Sequence, residues 1–154
     1  MDEMSRPRIT RTREIDYREE TYRGLKAGMK DLQGERLGAR IELLPPGQSS
    51  SFHHYHTAEE EHVFVLEGEA CLHFGDETFT LGAGDHVCFV AGEAVAHHLE
   101  NVAAENLVYL VYGERNAHDV VYYPERQRVL VKQGDPRVIA YREDEPAVKP
   151  KSNS

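Results

Sequence analysis

From Leu37 onward the chain is a succession of short apolar runs punctuated by Gly, Pro, Asn and Asp, the pattern of an all-β sandwich or barrel. The runs predicted as strands are residues 38–44, 53–56, 62–66, 70–74, 78–81, 87–90, 97–100 and 107–112. Between them lie Pro45-Pro46-Gly47, Glu67-Gly68-Glu69, Gly75-Asp76-Glu77, Gly82-Ala83-Gly84-Asp85 and Ala91-Gly92-Glu93. These connections have turn chemistry and are too short for helical crossovers, so the strands are expected to pair antiparallel. Eight such strands suit a jelly roll, with residues 38–113 as the barrel core.

The flanks read differently. Residues 1–37 mix charge with modest helical patterning around 22–32, weakened by Gly24, Gly28 and Gly34, and are expected to form a lead-in segment. Residues 114–142 hold a loop and one or two further strands, with 129–131 and 138–140 as candidates expected to pack on a barrel edge. Residues 143–154, with Pro146, Pro150 and no apolar pattern, are expected to be a disordered tail.

Composition narrows the functional classes. A chain of 154 residues, 40% of them hydrophobic, can bury one domain core. Its longest apolar stretches, such as Leu107-Val108-Tyr109-Leu110-Val111, fall far below the roughly 20 residues a membrane helix needs. Residues 1–13 are charged and interrupted by Pro7, unlike a secretory leader, so a cytoplasmic protein is expected. The formal charge of −9 argues against nucleic acid as a partner, and Arg6, Arg8, Arg11 and Arg13 read as a solvated arm. Cys71 and Cys88, both in apolar strand-like runs, read as reduced, buried thiols. Gly68, Gly84 and Gly92 are assigned to turns needing positive φ, because no glycine cluster matches a nucleotide-binding fingerprint.

The candidate chemistry is concentrated in ten residues holding His53, His54, His56, Glu59, Glu60, Glu61 and His62. Alternate residues of a strand share a face, so His54 and His56 can aim both imidazoles at one point while His53 and Tyr55 point away. Glu61 begins the next apolar run, where it can face inward with Val63 and Val65; Glu59 and Glu60 fall in the connecting loop and read as solvated. About forty residues on, His97-His98 lies on another candidate strand and can supply a fourth ligand. Imidazole with carboxylate favours Fe, Mn, Ni, Co or Zn over Ca or Mg. His53 and His98 are read as outward-facing or ring-orienting residues, and His62, His73, His86 and His118 as structural ones. Tyr55, Phe89 and Tyr109 are read mainly as packing residues.

The stretch Gly47-(x6)-His54-Tyr55-His56-(x4)-Glu61-(x6)-Gly68 resembles the first motif of the cupin superfamily, with one residue more than usual before the first histidine. His53 would restore the usual spacing, but only His54 keeps the His-x-His alternation with His56. Gly84-(x5)-Val90-Ala91-Gly92-(x4)-His97-(x3)-Asn101 resembles the second motif, with Val90 where the family commonly has Pro and a longer gap before the histidine. The later Gly113-Glu114-Arg115-Asn116 and Asp119-Val120-Val121-Tyr122-Tyr123-Pro124 are similar to the continuation found in small bacterial single-domain cupins.

The resemblance implies a double-stranded β-helix, or jelly-roll barrel, holding one divalent transition metal such as Fe, Mn, Ni or Zn through His54, His56, Glu61 and His97. It also implies a homodimer. Two functions fit: a dioxygenase, isomerase, lyase or decarboxylase acting on a small polar or anionic molecule, or a module that binds or senses one without catalysis. The 37 residues before the barrel show no helix-turn-helix pattern that would make the chain a regulator by itself.

Overall fold

The computed structural model describes residues 6–132, 134 and 139–142. The expected tail and Val138 of the last candidate strand lie outside them. Among the described residues the chain is all β apart from two short 3-10 turns, and no helix is long and apolar enough to cross a membrane.

The strands are β1 (Arg18–Tyr22), β2 (Leu25–Leu32), β3 (Leu37–Leu44), β4 (Tyr55–His56), β5 (Glu61–Glu67), β6 (Glu69–Phe74), β7 (Glu77–Gly82), β8 (His86–Phe89), β9 (His97–Glu100), β10 (Leu107–Glu114), β11 (Val120–Tyr123), β12 (Arg128–Lys132) and β13 (Ile139–Arg142). One sheet has the order β1-β2-β3-β10-β5-β8; two smaller sheets run β7-β6-β9 and β13-β12-β11-β4. All pairings are antiparallel, as the tight turns require.

The two smaller sheets are stitched together by residues 48–54, which run antiparallel beside β9. Ser50 N–H donates to the Leu99 carbonyl at 2.8 Å, and His54 and His97 exchange N–H···O bonds of 3.3 and 2.8 Å. The core holds Leu44, Val63, Val65, Ala70, Leu72, Phe89, Leu99, Leu107 and Tyr109, the alternate positions of their strands.

The lead-in differs from the sequence expectation. Residues 25–32 form a strand rather than a helical turn, because Leu25, Ala27 and Met29 alternate with polar positions at period two and bury one face in the core. Arg23 and Gly24, both at positive φ, close the β1–β2 hairpin. The predicted 53–56 strand shortens to Tyr55–His56, and β11 adds a strand the apolar pattern of 114–142 did not mark.

Two turn positions show why the loops are built as they are. Gly68 sits at φ +83°, where a Cβ would also approach the Asn106 carbonyl oxygen to 2.5 Å. No side chain fits there, so the β5–β6 turn can press against the start of β10. At the other end of β9, the fully buried Asn101 amide donates to the carbonyls of Leu44 and Glu105, both at 2.8 Å, and accepts the Ala103 N–H at 3.1 Å. It thereby fixes the exit of β9 to the end of β3. Asn101→Ala leaves two carbonyls without this donor and is expected to lower unfolding stability by about 2 kcal/mol. Urea denaturation that shows no loss would remove Asn101 from this role.

Candidate metal centre

His54 is delivered by the bridged segment beside β9, His56 by β4, Glu61 by the first residue of β5, and His97 by the first residue of β9. Inward alternation along β5 aims Glu61, Val63 and Val65 at the interior while Phe64 and Leu66 stay exposed. The predicted four are therefore brought together from three backbone segments. One ligand atom from each of His54, His56 and Glu61 lies within 4.8 Å of the others. His56 Nε2 is 3.7 Å from one Glu61 oxygen and His97 Nε2 is 3.6 Å from the other.

Each ring is oriented by its surroundings. The His54 Nδ1 is 2.7 Å from the Phe52 carbonyl, which can only accept, so Nδ1 carries the hydrogen; the Ser51 hydroxyl lies 3.1 Å from the same nitrogen. His56 Nδ1 donates to Asp119 at 2.6 Å. Asp119 is fully buried and its other oxygen accepts the N–H groups of Ala58 at 2.9 Å and Glu59 at 3.2 Å. The His97 ring stacks face to face on Phe89, centroids 3.5 Å apart. With Nδ1 of His54 and His56 committed outward, their Nε2 atoms are the ones left for the interior.

Electrostatics holds His54 neutral and Glu61 ionised, the forms in which they ligate. Burial lowers the His54 pKa to about 4, assisted by His97 and His56, so its imidazole is neutral at pH 7. Burial would raise Glu61, but the contact with His97 and the neighbouring His54 and His56 outweigh it and hold the carboxyl down to about 2. Burial would also lower His56, yet the hydrogen bond to Asp119 and the charges of Glu61, Asp119 and Glu59 hold it above the ordinary histidine value. The same hydrogen bonds, against the effect of burial, keep Asp119 below the usual carboxylate range.

The decisive atom is His97 Nε2. Among the described residues it is the one buried side-chain nitrogen or oxygen without a hydrogen-bond partner, and its residue is 4% exposed. An orphan of this kind is costly unless a group other than a protein side chain meets it. A cation drawn also to the Nε2 atoms of His54 and His56 and to an ionised carboxylate meets that need, displacing any proton His56 carries there, so the residues fit a bound metal ion.

The donors open onto a cavity of about 250 Å³ lined also by Arg40, Ser50, Tyr109 and Tyr123. A second hollow of about 370 Å³ shares Arg40, Ser50, Ser51 and Tyr123 and is lined also by Tyr22 and Phe52. Inside, Tyr109 donates to the buried Glu42, which also accepts from Arg40 Nε. This network was not visible in the sequence, because Glu42 and Arg40 sit on a strand read only for its apolar positions.

Three further sequence readings change. Glu59 is not a solvated loop carboxylate: its side chain is 11% exposed, pairs with Lys132 of β12 and accepts the Asn116 N–H at 2.8 Å. Cys71 and Cys88 are free but only half-buried, because each lies on the outward-facing side of its strand. Asp119, which orients His56, was missed; it stands 63 residues away in sequence and no local spacing points to it.

The sequence model of the family described as "Cupin domain" matches residues 40–113. A curated relative, the oxalate-binding protein of Thermotoga maritima, is 40% identical over 76 residues, which are 49% of this chain and 59% of that protein. The chain thus spans about three fifths of that relative's length. Among solved structures, a candidate sugar phosphate isomerase of Acidithiobacillus ferrooxidans is 26% identical with a TM-score of 0.80, over 92% of this chain and 97% of the other. A predicted oxalate decarboxylase of Thermotoga maritima is 25% identical with a TM-score of 0.62, over 69% and 97%.

The hydrogen bonds around Asp119 make a direct prediction. Asp119→Ala strips three N–H donors of their acceptor at once and is expected to cost about 3 kcal/mol in the metal-free protein. Denaturant unfolding within about 0.5 kcal/mol of the parent would show that Asp119 holds nothing in place.

Proposed function

Because this chain belongs to the cupin superfamily, we propose that it holds one divalent transition metal through His54, His56, Glu61 and His97 and uses it to bind and transform a small anionic molecule. The observation that carries this reading is the buried His97 Nε2, which makes no hydrogen bond and lies 3.6 Å from an ionised Glu61. Fe, Mn, Ni and Zn all accept imidazole and carboxylate together. When bound, such an ion supplies Lewis acidity toward an oxygen of the ligand.

The chain's own residues supply the rest. Phe52 and Asp119 keep the His54 and His56 rings in one orientation, so no reorganisation is needed when a ligand arrives. Glu61 contributes a negative charge that offsets part of the ion's. Arg40 lines the cavity; its Nε is engaged by Glu42, and its terminal amino groups are those a carboxylate or phosphate would use. Val63, Phe89 and Val111 form apolar wall and limit water. The names borne by the similar proteins, oxalate-binding, oxalate decarboxylase and sugar phosphate isomerase, all point to small anions. Isomerisation, decarboxylation, dioxygenation and elimination are all reactions that a bound metal ion would assist by polarising such oxygens.

A second reading, binding without turnover, is favoured by the oxalate-binding relative. Calorimetric titration of the metal-loaded protein with oxalate and with a sugar phosphate, followed by product analysis, separates the two. Binding of at least one anion, weakened tenfold or more in Arg40→Gln, is expected. New product assigns an enzyme, whereas unchanged ligand assigns the binding module. Absence of binding by every small anion tried would refute the anionic-ligand reading.

A further inference from the structure

The sheet face turned away from the barrel interior carries a separate set of donors. Along β6, Ala70 and Leu72 are buried while Cys71 and His73 are half-exposed; along β9, His97 and Leu99 are buried while His98 and Glu100 are half-exposed. The register pairs Cys71 with Glu100 and His73 with His98. Alternation and register together therefore place a thiol, two imidazoles and a carboxylate at the corners of one cross-strand square.

The side-chain contacts converge on His73, through which Cys71 meets the group. The His73 and His98 rings stack with centroids 4.4 Å apart and planes 5° apart. His73 Nε2 lies 2.7 Å from a Glu100 oxygen and 3.7 Å from Cys71 Sγ. One ligand atom from each of His73, His98 and Glu100 lies within 4.8 Å of the others. His53, reaching over from the segment beside β9, is hydrogen-bonded to His98 between Nδ1 atoms at 2.9 Å and fixes that ring. Glu100 meets His73, while His98 is held by the His73 ring and by His53.

We propose that Cys71, His73, His98 and Glu100 form a second metal site on the outer face of the barrel, taking a borderline-soft divalent ion of the zinc type. Thiolate with imidazole selects such ions over Mg or Ca. Tetrahedral zinc, with its usual bond lengths to sulfur and nitrogen, sets those two atoms about 3.6 Å apart, close to the observed separation of Cys71 Sγ and His73 Nε2. On ligation the Cys71 thiol releases its proton to solvent and no electron is transferred. Four protein ligands fill a tetrahedral ion, so the site is structural. It would fasten β6 to β9, the strand that also presents His97 to the interior.

The barrel donors include no sulfur, so a thiolate signal reports only on a site containing a cysteine. Cobalt(II) titration of the reduced protein, read by the thiolate-to-cobalt charge-transfer absorption, is the test. The band is expected to saturate at one equivalent per chain, to be bleached by zinc, and to persist in the His54→Ala/His56→Ala variant. It should vanish in Cys71→Ser, require at least tenfold more cobalt in His73→Ala, and remain in Cys88→Ser, with circular dichroism verifying the fold of each. Absence of the band in the parent protein would overturn the proposal, as would its survival in Cys71→Ser. Its loss in Cys88→Ser instead would move the site to the Glu60, His62 and Cys88 group on the other sheet.

Discussion

The backbone pair between His54 and His97 is the contact on which the rest of the architecture turns. Its two hydrogen bonds join the β7-β6-β9 sheet to the β13-β12-β11-β4 sheet, and the same pairing sets two imidazoles side by side with ring centroids 4.8 Å apart. A one-residue slip of either strand would turn His53 or His98 inward and carry His54 or His97 out to solvent. Fold and donor set are therefore specified by one register. The neighbouring Ser49–Glu100 bridge and the buried Asn101 amide defend it from the far end of β9.

Opposite that seam, the large sheet supplies charge of the other sign. Glu61 enters at the start of β5, and Glu42 sits deeper on β3 between Arg40 and Tyr109. Buried carboxylates are tolerated when each oxygen has a partner, and the Glu42 group meets that condition with donors on both sides. Burial and the Glu42 carboxylate together push the Tyr109 hydroxyl well above its ordinary value, so it remains a donor. The barrel interior is thus graded, apolar around Leu72, Leu99 and Leu107 and polar where the donors converge.

Much of this was legible in the sequence, for identifiable reasons. Strand chemistry is local, so the apolar runs and Gly-bearing turns marked most of β3 to β10, and period-two alternation chose His54, His56 and the inward face of Glu61 before any coordinates. What escaped depends on long-range placement. Gly28 within residues 25–32, with Gly24 and Gly34 on either side, blurs their alternation, and they become a strand because β3 offers an unpaired edge and the core accepts Ala27 and Met29. Asp119 gains its role from the pairing of β11 with β4, and Glu59 is dried by Lys132 of β12; neither partner is near in sequence. The outer square around His73 needed the β6–β9 register, which no spacing in the chain encodes.

The inward imidazoles and Glu61 are proposed to hold an ion, and metal content tests this most directly. Elemental analysis of tag-free protein, set against a His54→Ala/His56→Ala variant shown to be folded, is predicted to find an Fe, Mn, Ni or Zn ion in the parent that the variant lacks. Equal metal content in the two proteins, after loading with each ion in turn, would contradict the account.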